Sequence, residues 1–185
     1  MKKLGFLVLC SILLLTLPGA ALASPDDIAF TIRGKTTDPG EQTYIFDPVS
    51  GYPVAVTFTG LKAKGSVKGG LKGKFSYVED GTVDLTTGQE GYLIGDSNGL
   101  MTITKVKECP GKGKGTIDIH FWGSSTTYLD ASGNPVTATI VEQPFEILGG
   151  TGACEGISGG GTRSATLNLR RNKFLVTYTG HLSWD

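Results

Sequence analysis

The chain has 185 residues, of which 39% are hydrophobic and 18% are charged, and its 17 basic residues balance its 17 acidic residues. This length suits a single globular domain, and a net charge of zero gives no overall field that would attract nucleic acid. Val, Ile, Leu and aromatic residues recur in short stretches along the chain, which excludes a wholly disordered protein.

The first 23 residues have the features of an export signal. Two lysines precede an apolar run over residues 4–17, and an A-x-A cleavage site ends at Ala23. The apolar run is shorter than the roughly 20 residues that cross a bilayer, so a membrane anchor is disfavoured. We expect cleavage after Ala23, a secreted or periplasmic location, and a mature domain over residues 24–185 with no membrane attachment.

Removal of this leader also removes Cys10 and leaves two cysteines, Cys109 and Cys154. An even pair in an exported chain predicts a disulfide. A bridge that closes a loop of this length contributes on the order of 4 kcal/mol in the chain-entropy model. With these thiols paired and only two histidines in the chain, the sequence predicts no metal site and no cofactor.

Apolar and polar residues alternate with period two along the mature chain, and no helical periodicity persists. The predicted strands in chain order cover residues 28–32, 44–46, 54–58, 61–77, 82–85, 92–94, 100–106, 117–122, 136–141, 145–148, 165–169 and 174–182. Turn residues at fairly even spacing separate these segments, a pattern typical of a barrel or sandwich. The high glycine content favours a coiled sheet, so we predict an all-β fold, a single antiparallel β-barrel of about eight to ten strands.

The segment over residues 61–77 alternates most regularly, with five lysines on one face and no charge on the other. A hairpin at Gly69-Gly70 would either mix the two faces or place Lys64 opposite Lys74, and like charges in that position cost stability. We therefore predict one long bent strand. The lysine face is interpreted as a solvated outer surface, because it lacks the aromatic residues of a nucleic-acid site.

Candidate catalytic residues are few. Asp118 and His120 share one face of a predicted strand, where a carboxylate could orient an imidazole base, and Glu146 is a further acid. Trp122 follows on the same face and is the candidate to line a ligand site. The alternative is that this face points to solvent, opposite a core face of Ile117, Ile119 and Phe121.

Residues 149–156, GGTGACEG, do not form a nucleotide-binding loop, because the glycine spacing is wrong and the glycines at 159–161 exclude a following helix. With residues 145–148 and 157–161 they resemble the glycine element of the dirigent and allene oxide cyclase barrel superfamily, and residues 176–180 are similar to its closing strand. Cys154 stands where that element usually has an aromatic or aliphatic residue.

This resemblance covers about a fifth of the chain. It implies an eight-stranded antiparallel barrel with a small lumen, in which the glycine element forms a turn and a short helical or bulged link. Plant members of this superfamily guide radical coupling or cyclise a fatty-acid epoxide without a cofactor, whereas many bacterial members have no assigned activity, so the resemblance carries over no catalytic residue. Three functions stay open: a barrel that binds a small apolar or aromatic ligand, a structural or interaction domain with a closed lumen, and an enzyme of the cyclase or coupling-guide type.

Overall fold

The computed structural model describes residues 27–184, so the predicted leader and its cleavage site lie outside the described residues. The strands are β1 (Asp27–Asp38), β2 (Glu41–Phe46), β3 (Pro53–Gly69), β4 (Gly73–Asp84), β5 (Tyr92–Val106), β6 (Gly115–Leu129), β7 (Pro135–Gly152), β8 (Ile157–Asn168) and β9 (Lys173–Trp184). Two short 3-10 turns, Thr86–Glu90 and Leu169–Arg171, connect strands. Within the described part of the chain, no helix has the length and apolar character to cross a membrane.

All strand pairs are antiparallel, and the sheet closes into a ring because β1 pairs with β9 on one side and with the second half of β3 on the other. The ring order is β1-β9-β8-β7-β6-β5-β4-β3. The short strand β2 pairs with the first half of β3 and lies beyond this ring. The predicted all-β single antiparallel barrel is confirmed.

The prediction of one long strand over residues 61–77 is wrong. The chain reverses between β3 and β4, with Val67 opposite Gly73 and Lys64 opposite Ser76. Lys64 does not lie opposite Lys74, because the hairpin is centred on Gly70, one residue later than the odd-length loop that would pair the two lysines. The loop of five residues between Val67 and Gly73 keeps the lysines outside and the apolar face inside.

Two apparent turn signals lie inside strands and shape the packing there. The sequence predicts breaks at Asp80-Gly81, before the predicted strand over residues 82–85, and at Asn98-Gly99, before the predicted strand over residues 100–106. Both fall within continuous strands, because Asp80 and Gly81 in β4 pair with Asn98 and Ser97 in β5. A Cβ on Gly99 would overlap the ring of Phe121, which is fully buried. Glycine is therefore required at position 99 by the close approach of the Phe121 ring and not by a chain reversal.

The barrel interior divides into two halves along its axis. One half is packed by apolar side chains, including Ile103, Ile117 and Ile119, which have no solvent exposure. The disulfide between Cys109 and Cys154 lies at this end and links the β5–β6 loop to the turn after β7. The other half holds polar as well as apolar side chains, and it contains the candidate functional site described next.

Candidate functional site

The sequence-predicted candidates on β6 lie on the outer face of the barrel. Asp118, His120 and Trp122 are half-buried. In contrast, Ile117, which precedes Asp118, and Phe121, which separates His120 from Trp122, are completely buried in the lumen. Strand alternation forces this result, because residues two apart share a face. The inward orientation that a catalytic role in the lumen required of Asp118 and His120 is therefore absent, and Trp122 does not line the lumen.

These outer residues nevertheless form an ordered cluster across β5, β6 and β7. The His120 ring lies between Glu146, with Nδ1 2.8 Å from Oε1, and Asn98, with Nε2 3.0 Å from Oδ1. It stacks on Trp122 with ring centroids 4.8 Å apart. Asp118 accepts a hydrogen bond from Thr102 instead. The structure thus brings His120, Glu146 and Trp122 together and leaves Asp118 with a separate partner.

A cavity of about 150 Å³ occupies the polar half of the lumen and is lined by residues of strands β3 to β9. Most of its lining is apolar, from residues such as Leu61, Ile140 and Val176. Three charged residues also line it: Glu79 on β4, Arg163 on β8 and the exposed Asp96 on β5. This is the one described cavity that holds an inward-facing charged pair, and sequence reasoning did not identify either residue.

Arg163 is held in place by contacts with Gln143 and with the Phe121 ring. Its Nε and Nη2 atoms both donate to Oε1 of Gln143, at 3.0 and 2.6 Å, and Gln143 in turn donates to the Ser124 carbonyl at 2.6 Å. The guanidinium carbon lies 3.6 Å from the centroid of the Phe121 ring. Planar stacking and paired donation suit arginine and would not be reproduced by lysine.

Glu79 faces Arg163 without a direct hydrogen bond. The Arg163 Nη2 and Glu79 Oε1 atoms are 4.0 Å apart, and both side chains are largely buried, at 4% and 14% exposure. This distance is too long for a hydrogen bond. Part of the bonding capacity of each group therefore remains available to a molecule in the cavity.

Burial also affects the titration of the groups around Arg163. It raises the pKa of Glu79, although the charge of Arg163 and hydrogen bonding by Ser97 favour the ionised carboxylate. Burial raises the pKa of Tyr77 and of Tyr178 as well. The positive charge of Arg163 acts in the opposite direction on the pKa of Tyr178. The Tyr178 hydroxyl is buried, and no group within residues 27–184 forms a hydrogen bond of normal geometry with it.

The period-two pattern contained the signal for two of these residues. Glu79 follows Phe75 and Tyr77 on the same inward face of β4, and Arg163 follows Ile157 by six residues on β8. Extending the alternation beyond the predicted strand ends would have placed both in the lumen. Gln143 could not be placed in this way, because the register of β7 shifts between Ile140 and Gln143.

The glycine element serves the disulfide end of the barrel. Gly149 and Gly152 have positive φ angles of 144° and 61°, and a Cβ on Gly150 would overlap the backbone of Cys154. The chain then turns over residues 153–156. In the residues that the structure describes, no group of three or more His, Cys, Asp or Glu side chains is arranged to hold a metal ion.

No family model, curated protein or solved structure matches the chain. The assignment of a function therefore depends on the geometry of its own residues.

Proposed function

We infer that the protein is a secreted barrel that binds a small, mostly apolar molecule in the polar half of its lumen. The observation that carries this proposal is the lumen cavity of about 150 Å³, in which Glu79 and Arg163 are set into a mostly apolar lining. Binding sites typically combine such a lining with a few fixed polar groups. An apolar cavity of similar size can hold a molecule as large as benzene.

The charged pair indicates the chemistry of the ligand. Arg163 can only donate hydrogen bonds, and an ionised Glu79 can only accept them. A group with an acceptor beside a donor, such as a primary amide, a carboxylic acid or a phenol, would bridge the 4.0 Å between them. We therefore expect a ring-sized apolar body that carries one such group.

Export is part of the same proposal. The leader over residues 1–23 and the paired cysteines Cys109 and Cys154 support it, because disulfides persist in oxidising compartments. The resemblance of residues 145–161 and 176–180 to dirigent and allene oxide cyclase barrels supports a ligand in the lumen. A barrel that binds no small molecule would instead serve a structural or interaction role.

A second candidate function is a cofactor-free enzyme of the cyclase or coupling-guide type. The observation that favours it is the raised pKa of Glu79 at the cavity wall, since burial brings a carboxyl group closer to the pH at which general acid–base catalysis works. Glu79 would then take the role first considered for Asp118, His120 and Glu146. Turnover of a bound ligand that is lost in Glu79→Gln, with binding retained, would identify this activity.

Calorimetric titration of the mature protein with benzamide and with toluene tests the binding proposal. Benzamide adds an acceptor and a donor to a ring of the same size, so we expect it to bind more tightly than toluene. Arg163→Met should weaken benzamide at least tenfold, since a hydrogen bond to a charged group contributes about 1.5–3 kcal/mol. The affinity for toluene should change much less.

Ala138→Leu provides a second variant that keeps every charged group. Ala138 lines the cavity and is 6% exposed, so a larger side chain there should exclude both probes. The matched control is Ala29→Leu, because Ala29 is exposed on β1. Equal binding of benzamide to the wild type and to folded Ala138→Leu would rule out the lumen site. Tryptophan emission is a poor readout, because neither Trp122 nor Trp184 lines the cavity.

A further inference from the structure

A second site, shallow and open to solvent, lies on the outside of the barrel, on the wall formed by β8, β9, β1 and β3. It has a volume of about 680 Å³, within the usual range for small-molecule sites. Its rim carries four basic side chains, Arg33, Lys35, Lys64 and Lys173, and no acidic side chain lines it. These four residues come from three strands, β1, β3 and β9, and the closure of the sheet brings them together.

Within residues 27–184, no acidic side chain neutralises the positive charge of this site by an ion pair. Lys35 lies directly opposite Lys64 in the β1–β3 register, an arrangement that costs stability. The basic and acidic residues of the whole chain balance, so this surface concentrates one sign of charge in a neutral protein.

Carbon atoms make up most of the surface of this site. Leu175 is 43% exposed within it, directly opposite Arg33 across the β1–β9 pair. Its lining also includes Gly34 and Gly65, which face each other across β1 and β3 without side chains, and Phe174, which reaches the lumen cavity on the other side of the wall. A ligand there would contact both cationic groups and a continuous apolar surface.

We propose that this outer site binds an anionic amphiphile, a molecule with one acidic head group and an apolar body. The acidic head group forms ion pairs with the basic side chains of the site (Arg33, Lys35, Lys64 and Lys173), and the apolar body packs on Leu175. Charge complementarity selects an anion, and the carbon-rich surface favours an amphiphile over a bare polyanion, which would leave Leu175 in water. The site is separate from the lumen and does not depend on the function proposed for it.

Titration with decanoate at an ionic strength below physiological tests the proposal. Decyltrimethylammonium and decyl maltoside carry the same chain with a cationic or a neutral head, and acetate carries the head without the chain. We expect decanoate to bind at least tenfold more tightly than each of these three. Added salt should weaken decanoate binding, because the cations are exposed to screening.

Two variants locate the site. Lys35→Gln combined with Lys64→Gln should weaken decanoate at least tenfold, and removal of the like-charge pair should leave the fold intact. The matched control, Lys112→Gln with Lys114→Gln, removes two exposed lysines from the loop before β6 and should leave decanoate affinity unchanged. Leu175→Ser should weaken decanoate without any effect on acetate.

Several results would overturn the proposal. They are equal binding of decanoate and decyl maltoside, an equal loss of affinity in the control variant, or loss of decanoate binding in the lumen variant Ala138→Leu. Tighter binding of polygalacturonate than of decanoate, with no contribution from Leu175, would show instead a surface for acidic polymers. Loss of lumen binding to benzamide would leave the decanoate result unaffected, so the two proposals fail separately.

Discussion

The interaction between Arg163 and Glu79 should be measurable in a double-mutant cycle of Arg163→Met and Glu79→Gln. At 4.0 Å, the Coulomb energy of two unit charges is about 4 kcal/mol at an effective dielectric constant of 20. That value is a ceiling, and contacting residues usually couple by about 0.5–3 kcal/mol. Arg163→Met alone should cost about 3–5 kcal/mol, because it leaves a buried carboxylate without a cation. The double variant should recover about 2 kcal/mol of that loss.

Urea unfolding followed by far-UV circular dichroism gives the four free energies of unfolding. The control cycle uses Lys62→Met and Asp38→Asn, whose charged atoms are 3.5 Å apart but whose side chains are 59% and 49% exposed. An exposed pair of this kind should couple by less than about 1 kcal/mol. Additive effects of Arg163→Met and Glu79→Gln within about 0.5 kcal/mol would refute the claim that the two buried groups interact.

Three further predictions concern stability. The difference in free energy of unfolding between the wild type and Glu79→Gln should fall as pH rises above 4.5. The raised pKa of Glu79 means that the folded state keeps a proton that the unfolded state has released. A melting temperature of the wild type that rises relative to that of Glu79→Gln, in thermal scans at successive pH values, would contradict this. Replacement of Cys109 and Cys154 by serine should lower the free energy of unfolding by about 2–4 kcal/mol, and a loss below about 0.5 kcal/mol in urea titrations would count against a structural role for the bridge. Gly99→Ala should cost about 1–3 kcal/mol because its Cβ meets the buried Phe121 ring, whereas Gly88→Ala, with its nearest neighbour at 3.4 Å, should have little effect in the same assay.

Alternation along the chain was sufficient to predict the architecture, because a barrel imposes the same inward and outward rule on every strand. It failed at strand ends and turns. The paired Asp80-Gly81 and Asn98-Gly99 sites look like reversals locally, yet they lie side by side in β4 and β5. Only the three-dimensional approach of the Phe121 ring explains the second of these glycines.

The candidate site was harder to predict than the fold. The expected disulfide between Cys109 and Cys154 is present. Its prediction needed no knowledge of the fold, because only two cysteines follow the predicted leader. The choice of Asp118 and His120 favoured residues with familiar catalytic chemistry over residues on the inward face. Arg163 and Glu79 lie far apart in the sequence, on β8 and β4, and only the ring order of the sheet brings them together.

The outer basic site could not be predicted from the sequence either, because strands that are distant in the sequence form it. Lys64 belongs to a lysine-rich strand that was interpreted as a solvated face. Arg33 and Lys173 join it only because β1 pairs with both β3 and β9. The pairing partners of a strand are not encoded in its own alternation, so the charge of this surface could not be derived from one segment.

The most direct test of a ligand site at Arg163 is the ¹H–¹⁵N resonance of its side-chain Nε–H group during titration with benzamide. Binding in the lumen predicts a saturable shift of this resonance and of the Gln143 side-chain amide that is bonded to Arg163. The indole N–H resonance of Trp122 on the outer face should stay in place. Shifts confined to the outer face, or none at all up to saturating benzamide, would contradict the account.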